Sequence, residues 1–225
     1  MSINNCCVPC EKPDLEDDRW MSIHKRFLQD CLEKDPEIVF IGDDILEGLV
    51  STEMYRSFEE MHVLNFSIRG DLIENILWRI EQGEIEKVKP KIIVLNCGTN
   101  NTPTNSAEEI SEGIMHCVQE IRKRRAGSFI ILLTLLPRGH KPNPLREKID
   151  TVNKIIQEKC HGLQKVQIID ISKGLVQNDG TISHHDLYDY LNLTNAASKK
   201  LFEPVLDVLN QILNENEKEL LTPSE

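Results

Sequence analysis

Polar residues able to do chemistry stand directly after short apolar runs. Gly42-Asp43-Asp44 follows Ile38 to Ile41, Gly70-Asp71 follows the run Val63 to Phe66, and Gly98-Thr99-Asn100-Asn101 follows Ile92 to Cys97. Farther along stand His184-His185-Asp186 and Asp189-Tyr190-Leu191-Asn192. Asp43, Asp44 and Asp189, with the amides of Asn100 and Asn192, offer only oxygen donors, a set suited to calcium or magnesium. A carboxylate such as Asp44 also serves some enzymes as a nucleophile, but an acyl-aspartate turns over only if a base activates water. Arg122-Lys123-Arg124-Arg125 has the charge for an anion, although cations at a helix end also complement its dipole, so a solvated helix end is expected. Cys6, Cys7 and Cys10 lack a second Cys/His pair at finger spacing, so no zinc site is expected there.

The elements that must position these residues are legible as pattern. Ile38 to Ile41, Val63 to Phe66, Ile92 to Cys97, Phe129 to Leu135 and Val166 to Asp170 are continuous apolar runs without in/out alternation, as in parallel strands covered on both faces. Leu72 to Gln82, Ala107 to Arg125 and Leu145 to Cys160 carry apolar residues at helical spacing and predict crossover helices. Asp71 is expected to cap the first of these, and Ser106 with Glu109 forms a capping-box pattern. A last helix is predicted from Ala196 to Asn214. The fold class is therefore α/β, a three-layer α/β/α sandwich with five parallel strands, whose ligands bind beyond the carboxyl ends of the strands.

Composition narrows the functional classes. The 225 residues are 40% hydrophobic and 28% charged, ordinary values for one folded α/β domain. A net charge of −11 opposes binding to nucleic acid or anionic lipid through bulk electrostatics. No run approaches the roughly 20 apolar residues of a membrane span. Residues 1 to 10 lack the pattern of a signal peptide, and seven scattered cysteines suit a reducing, cytoplasmic setting. Residues 1–16 and the acidic stretch 214–225 are expected to be mobile tails around a domain of residues 17–213.

The polar blocks, in this order, resemble those of the SGNH, or GDSL, hydrolases. Asp17-Asp18-Arg19-Trp20, Leu77-Trp78-Arg79, Leu136-Pro137-Arg138-Gly139 and Asp179-Gly180-Thr181-Ile182-Ser183-His184-His185-Asp186 resemble more closely the catalytic α subunits of type I platelet-activating-factor acetylhydrolases. The resemblance implies a flavodoxin-like hydrolase fold and a serine, histidine and aspartate triad. The serine position is Asp44 and the histidine position is Asn192; Asp189 remains as the orienting aspartate. The oxyanion donors implied are the backbone at Asp44, the backbone of Gly70 and the side chain of Asn100. His184 and His185 belong to a motif that relatives carry beside an intact triad, so neither is expected to replace the base. Asp43, the family's loop aspartate, is expected to bond backbone amides.

Without a hydroxyl at 44 or a titratable ring at 192, the resemblance implies a pseudoenzyme with no cofactor and no metal. It also implies a homodimer that binds the lissencephaly β-propeller, a dynein regulator. Asp44 is expected to fill the oxyanion hole, held by Asn100 and Arg69. Two alternatives stand beside this: an esterase of shifted mechanism removing the sn-2 acetyl group, and a non-hydrolysing binder of acetylated lipids.

Overall fold

A computed structural model describes residues 3–13 and 16–221, with side chains to residue 215. Among these residues, seven α-helices and five strands follow a short 3₁₀ turn at Asn5–Cys7, with a second such turn at Thr99–Asn101: α1 Arg19–Glu33, β1 Ile38–Gly42, α2 Asp44–Leu49, α3 Glu53–Glu59, β2 Val63–Ser67, α4 Ile73–Glu81, β3 Ile92–Asn96, α5 Ala107–Arg124, β4 Phe129–Leu133, α6 Pro144–Cys160, β5 Val166–Ile169 and α7 Asn195–Leu221. All strand pairings are parallel, in the order β2-β1-β3-β4-β5. The five expected strands are all present, each ending within two residues of the apolar run that predicted it.

The unbroken apolarity of the strands has the expected cause. Val39, Ile41, Ile93, Leu95, Ile130 and Leu132 face one core, shared with α1, α4, α5 and α6. Their neighbours Ile38, Phe40, Ile92, Val94, Ile131 and Leu133 face a second core under α2, α3 and α7. Alternate residues point to opposite faces of a strand, so a sheet covered on both sides needs apolar residues at every position.

The order places β1 between β2 and β3. The connection from β1 leads to β2 on one side and that from β3 leads to β4 on the other, which opens a crevice between the carboxyl ends of β1 and β3. Gly42 lets β1 pass close to β3 before the turn, because a Cβ at this position would lie 2.5 Å from the Asn96 carbonyl oxygen.

Three expectations change. Asp71 does not cap α4; Leu72 occupies the cap position, its N–H donates to Asn75 Oδ1, and Asp71 is buried below. The described part of the N-terminal segment is not a free tail. Its Cys6 is fully buried, Asn4 Nδ2 donates to the Glu109 carbonyl of α5, and Cys10 N–H donates to the Glu74 carbonyl of α4. Sparse apolar content missed this strap because specific polar partners and one thiol anchor it. At the other end α7 continues to Leu221, past the expected boundary at 213. The stretch is rich in Glu, Lys and Leu, good helix formers that extend a helix already docked through Phe202, Val205 and Leu209. Residues 1, 2, 14, 15 and 222–225 of the expected tails lie outside the described residues.

Candidate active site and its substitutions

The loops after β1, β2 and β3 bring Asp44, Gly70 and Asn100 together. Gly70 N–H donates to Asp44 Oδ2 at 2.8 Å, and Asn100 Nδ2 donates to the same oxygen at 2.7 Å. Asn100 spends its second amide hydrogen on the Asp71 carbonyl at 3.0 Å. Gly70 has φ +74°, a conformation that favours glycine and aims its N–H inward. Two donors thus converge on one point, and the chain's own carboxylate occupies it.

Arg69 adds less than expected. Its Nη1 lies 3.8 Å from Asp44 Oδ1, while Nε and Nη2 donate to Glu47 Oε2 at 3.1 and 2.7 Å. Asp44 begins α2, yet its contacts run to the loops after β2 and β3 and not to that helix's amides.

Asp43, expected to hold backbone, does so. Its Oδ2 accepts from the N–H groups of Gly98 and Thr99 at 3.2 and 3.3 Å. Complete burial, with the Asp44 charge adding to it, pushes the Asp43 carboxyl up to about 8. It is therefore mostly protonated at neutral pH, which spares the site a second negative charge. Its Oδ1 has no partner among the described residues.

Asp189 and Asn192 lie in the irregular segment between β5 and α7. Asp189 Oδ1 accepts from Asn192 N–H at 2.6 Å, and Oδ2 accepts from Asn192 Nδ2 at 2.7 Å. Although burial opposes it, the bonds from Asn192 and Leu191 hold the Asp189 carboxyl below its ordinary range. Asp189 would orient an imidazole in the same way, but here it orients an amide. Asn192 and Asp44 both line a cleft of about 370 Å³, shared with Arg69, Tyr188 and Ser198.

Hydroxyls around the cleft are engaged with backbone. Ser51 and Thr52 hydroxyls donate to the carbonyls of Gly48 and Leu49, and Thr194 donates to that of His185. The rings of His184 and His185 lie against each other at a tilt of 38° and do not line the cleft. Among the described residues no three His, Cys, Asp or Glu side chains converge as metal ligands. The all-oxygen set is dispersed: Asp43 bonds backbone, Asp44 fills the cradle and Asp189 holds Asn192. With the Asp44 carboxylate in the cradle, Gly70 N–H and Asn100 Nδ2 are both already engaged.

A buried ionic network below the cradle escaped the sequence reading. Arg79, fully buried, donates to Asp71 Oδ2 at 2.9 Å, to the Phe66 carbonyl at 3.0 Å and to Glu84. His24 Nδ1 meets Glu84 Oε1 at 2.9 Å, and Trp20 Nε1 donates to Asp71 Oδ1 at 2.7 Å. Burial lifts the Asp71 carboxyl above its ordinary value despite the Arg79 and Lys12 cations. From the other side Lys12 Nζ donates to the Gly70 carbonyl at 2.8 Å. Trp20 and Trp78 touch His24 through their rings, and Trp20 also bonds this network. The available signal was Arg79 itself, a charge among the buried positions Ile73, Ile76, Leu77 and Ile80 of α4.

Fold and site together define an α/β acyl-hydrolase scaffold, and comparison with known proteins agrees. The model of the GDSL-like lipase/acylhydrolase family matches residues 40–200, and the chain belongs to that family. Within it the chain is similar to platelet-activating factor acetylhydrolase IB subunits. It is 53% identical to the subunit beta homolog of Drosophila melanogaster, over 99% of this chain and all of that protein. It is 42% identical to the human subunit alpha2, over 97% of this chain and 96% of that one. Among solved structures, a GDSL-like lipase from Bacteroides thetaiotaomicron superposes with a TM-score of 0.70 at 18% identity, covering 83% of this chain and 98% of its own. A carbohydrate acetylesterase from Sinorhizobium meliloti superposes at 0.61 with 12% identity, covering 79% of this chain and 100% of its own. Both structural likenesses concern the fold alone. Among the described residues no helix is long and apolar enough to cross a membrane.

Proposed function

We propose that this chain is a non-hydrolysing member of its family, a homodimeric cytoplasmic binding subunit that engages a lissencephaly-type β-propeller regulator of dynein. One observation carries the catalytic half of the reading: the Asp44 carboxylate takes the hydrogen bonds of Gly70 N–H and Asn100 Nδ2 that an oxyanion would need. An anion bound there opposes a second one about 4 Å away by roughly 4 kcal/mol at an effective dielectric of 20. With Asn192 at the base position, neither formation nor release of an acyl intermediate has a proton carrier. The binding half draws its support from relatives named as subunits, whose sequences align along nearly the whole chain.

Two measurements test it. Purified protein should hydrolyse a short nitrophenyl ester no faster than a boiled control and should resist labelling by diisopropyl fluorophosphate. The propeller protein should be retained on immobilised chain; absence of retention ends the partner half and leaves the catalytic half standing. Hydrolysis well above control without labelling would replace the catalytic half with a shifted mechanism. The persistence of a 370 Å³ cleft favours a second reading, a binder of acetylated lipids without turnover. Saturable binding of such a lipid to the inert protein is its test.

A further inference from the structure

We infer that a basic groove at the pole opposite the candidate active site docks a short acidic segment, interspersed with apolar residues, from a protein partner. The groove lies at the amino-terminal ends of β4 and β5, whereas Asp44, Gly70 and Asn100 follow the carboxyl ends of β1, β2 and β3. It consists of two adjoining crevices that share Arg122. One, of about 350 Å³, is lined by Arg122, Lys123, Arg125 and Lys165. The other, of about 420 Å³, adds Lys159 beside Met115 and Leu163.

Part of this charge is already neutralised within the molecule. Glu120 pairs with Lys123 and Arg124, and the Arg125 guanidinium donates to the backbone carbonyls of Ile85 and Arg124. Glu112 also lines the second crevice, where its carboxylate accepts from Asn4 Nδ2. Arg122, Lys159 and Lys165, all exposed, have no carboxylate partner among the described residues; Lys165 reaches only the Gly127 carbonyl. A helix end that only needed cations for its dipole would not require Lys165, which comes from the separate loop before β5.

The surroundings decide the occupant. The whole chain carries −11, so this groove is a positive island on an acidic molecule. Screening at physiological salt acts over about 8 Å. A short segment lying in the groove sits within reach of these cations, whereas an extended membrane or duplex also meets the net negative charge of the rest of the chain. Two crevices joined end to end, one with apolar walls at Met115 and Leu163, fit a peptide better than a lone anion.

Fluorescence anisotropy with a labelled peptide of Glu-Glu-Leu repeats tests this. Saturable binding is expected, weakening steeply with added salt. Arg122→Glu with Lys165→Glu should lose at least tenfold in affinity, about 1.4 kcal/mol, with an unchanged melting temperature because both residues are exposed. Arg122→Gln with Lys165→Gln serves if the charge reversal disturbs folding. A Glu-Glu-Ser peptide should bind more weakly, and Asp44→Ser should bind the first peptide normally, which separates this site from the cleft. No binding, or equal binding by both charge variants, overturns the inference. So does tighter binding to phosphatidylserine-containing vesicles, or complete competition by inorganic phosphate at equal charge.

Discussion

Asp44→Ser combined with Asn192→His is the perturbation that bears most directly on the proposal of a non-hydrolysing site. Replacing Asp44 frees two donors now held at 2.8 and 2.7 Å, and one oxyanion donor is worth about 10²–10³ in turnover. It also removes the repulsion of roughly 4 kcal/mol set by a carboxylate about 4 Å from the developing charge. A histidine at 192 would find Asp189 already placed, since that carboxylate accepts from both the backbone and side chain of Asn192. General-base help from such a ring adds about 10²–10⁴. Triad members act as a unit, so neither gain is expected alone. Asn192→His leaves the cradle filled, and Asp44→Ser leaves the hydroxyl without a base. The double variant should therefore exceed each single variant by at least about 10²-fold in kcat/KM on nitrophenyl acetate, or ~2.7 kcal/mol of transition-state stabilisation. Its introduced serine should react with a fluorophosphonate in proportion to the active fraction. A double variant that folds normally yet stays at the level of the singles would refute the view that these two positions silence the site. A wild-type rate equal to that of the double variant would refute it from the other side.

Burial raises the Asp43 carboxyl to about 8, so the native state holds a proton that the unfolded chain releases near its ordinary value of about 4. Its contribution to stability is full below that lower value and is lost as pH rises through the upper one, with a slope approaching 1.4 kcal/mol per pH unit between them. Asp43→Asn should flatten this slope in urea titrations across that window; an unchanged slope assigns the dependence to other groups. Arg79→Leu leaves Asp71 and Glu84 buried without their cation and should cost about 3–5 kcal/mol in urea unfolding, while a loss under about 1 kcal/mol would show that the network is not what supports the cradle. Gly113→Ala places a Cβ 2.6 Å from that of Cys6 and should lift the strap, at about 1–3 kcal/mol. Cys6, fully buried and pushed up to about 12, should resist thiol reagents in the native protein and become labelled in that variant; mass-spectrometric mapping reads the difference.

Much of the architecture was legible because its cause is local. Strands covered on both faces must be apolar at successive positions, as Ile38–Ile41 and Ile92–Leu95 are, and amphipathic spacing marked α5 and α6. Ser106 and Glu109 close the capping box their spacing predicts. Local signals failed where a distant partner decided the outcome. Asp71 reads as a cap, but Arg79 and Trp20 draw it inward. The strap at residues 4–12 reads as a tail, but α4 and α5 supply its hydrogen bonds and Gly113 the space for Cys6.

The sequence by itself determined the α/β class and which side chains stand at positions 44, 100, 189 and 192, because periodicity and residue identity are properties of the linear chain. Where the Asp44 carboxylate goes is not such a property. It depends on three loops converging at the reversal of strand order, on Gly70 adopting φ +74° so that its N–H turns inward, and on Asn100 dividing its two amide hydrogens between Asp44 and the Asp71 carbonyl. A charge finds its lowest energy among donors brought from elsewhere in the chain, and only the tertiary structure brings them.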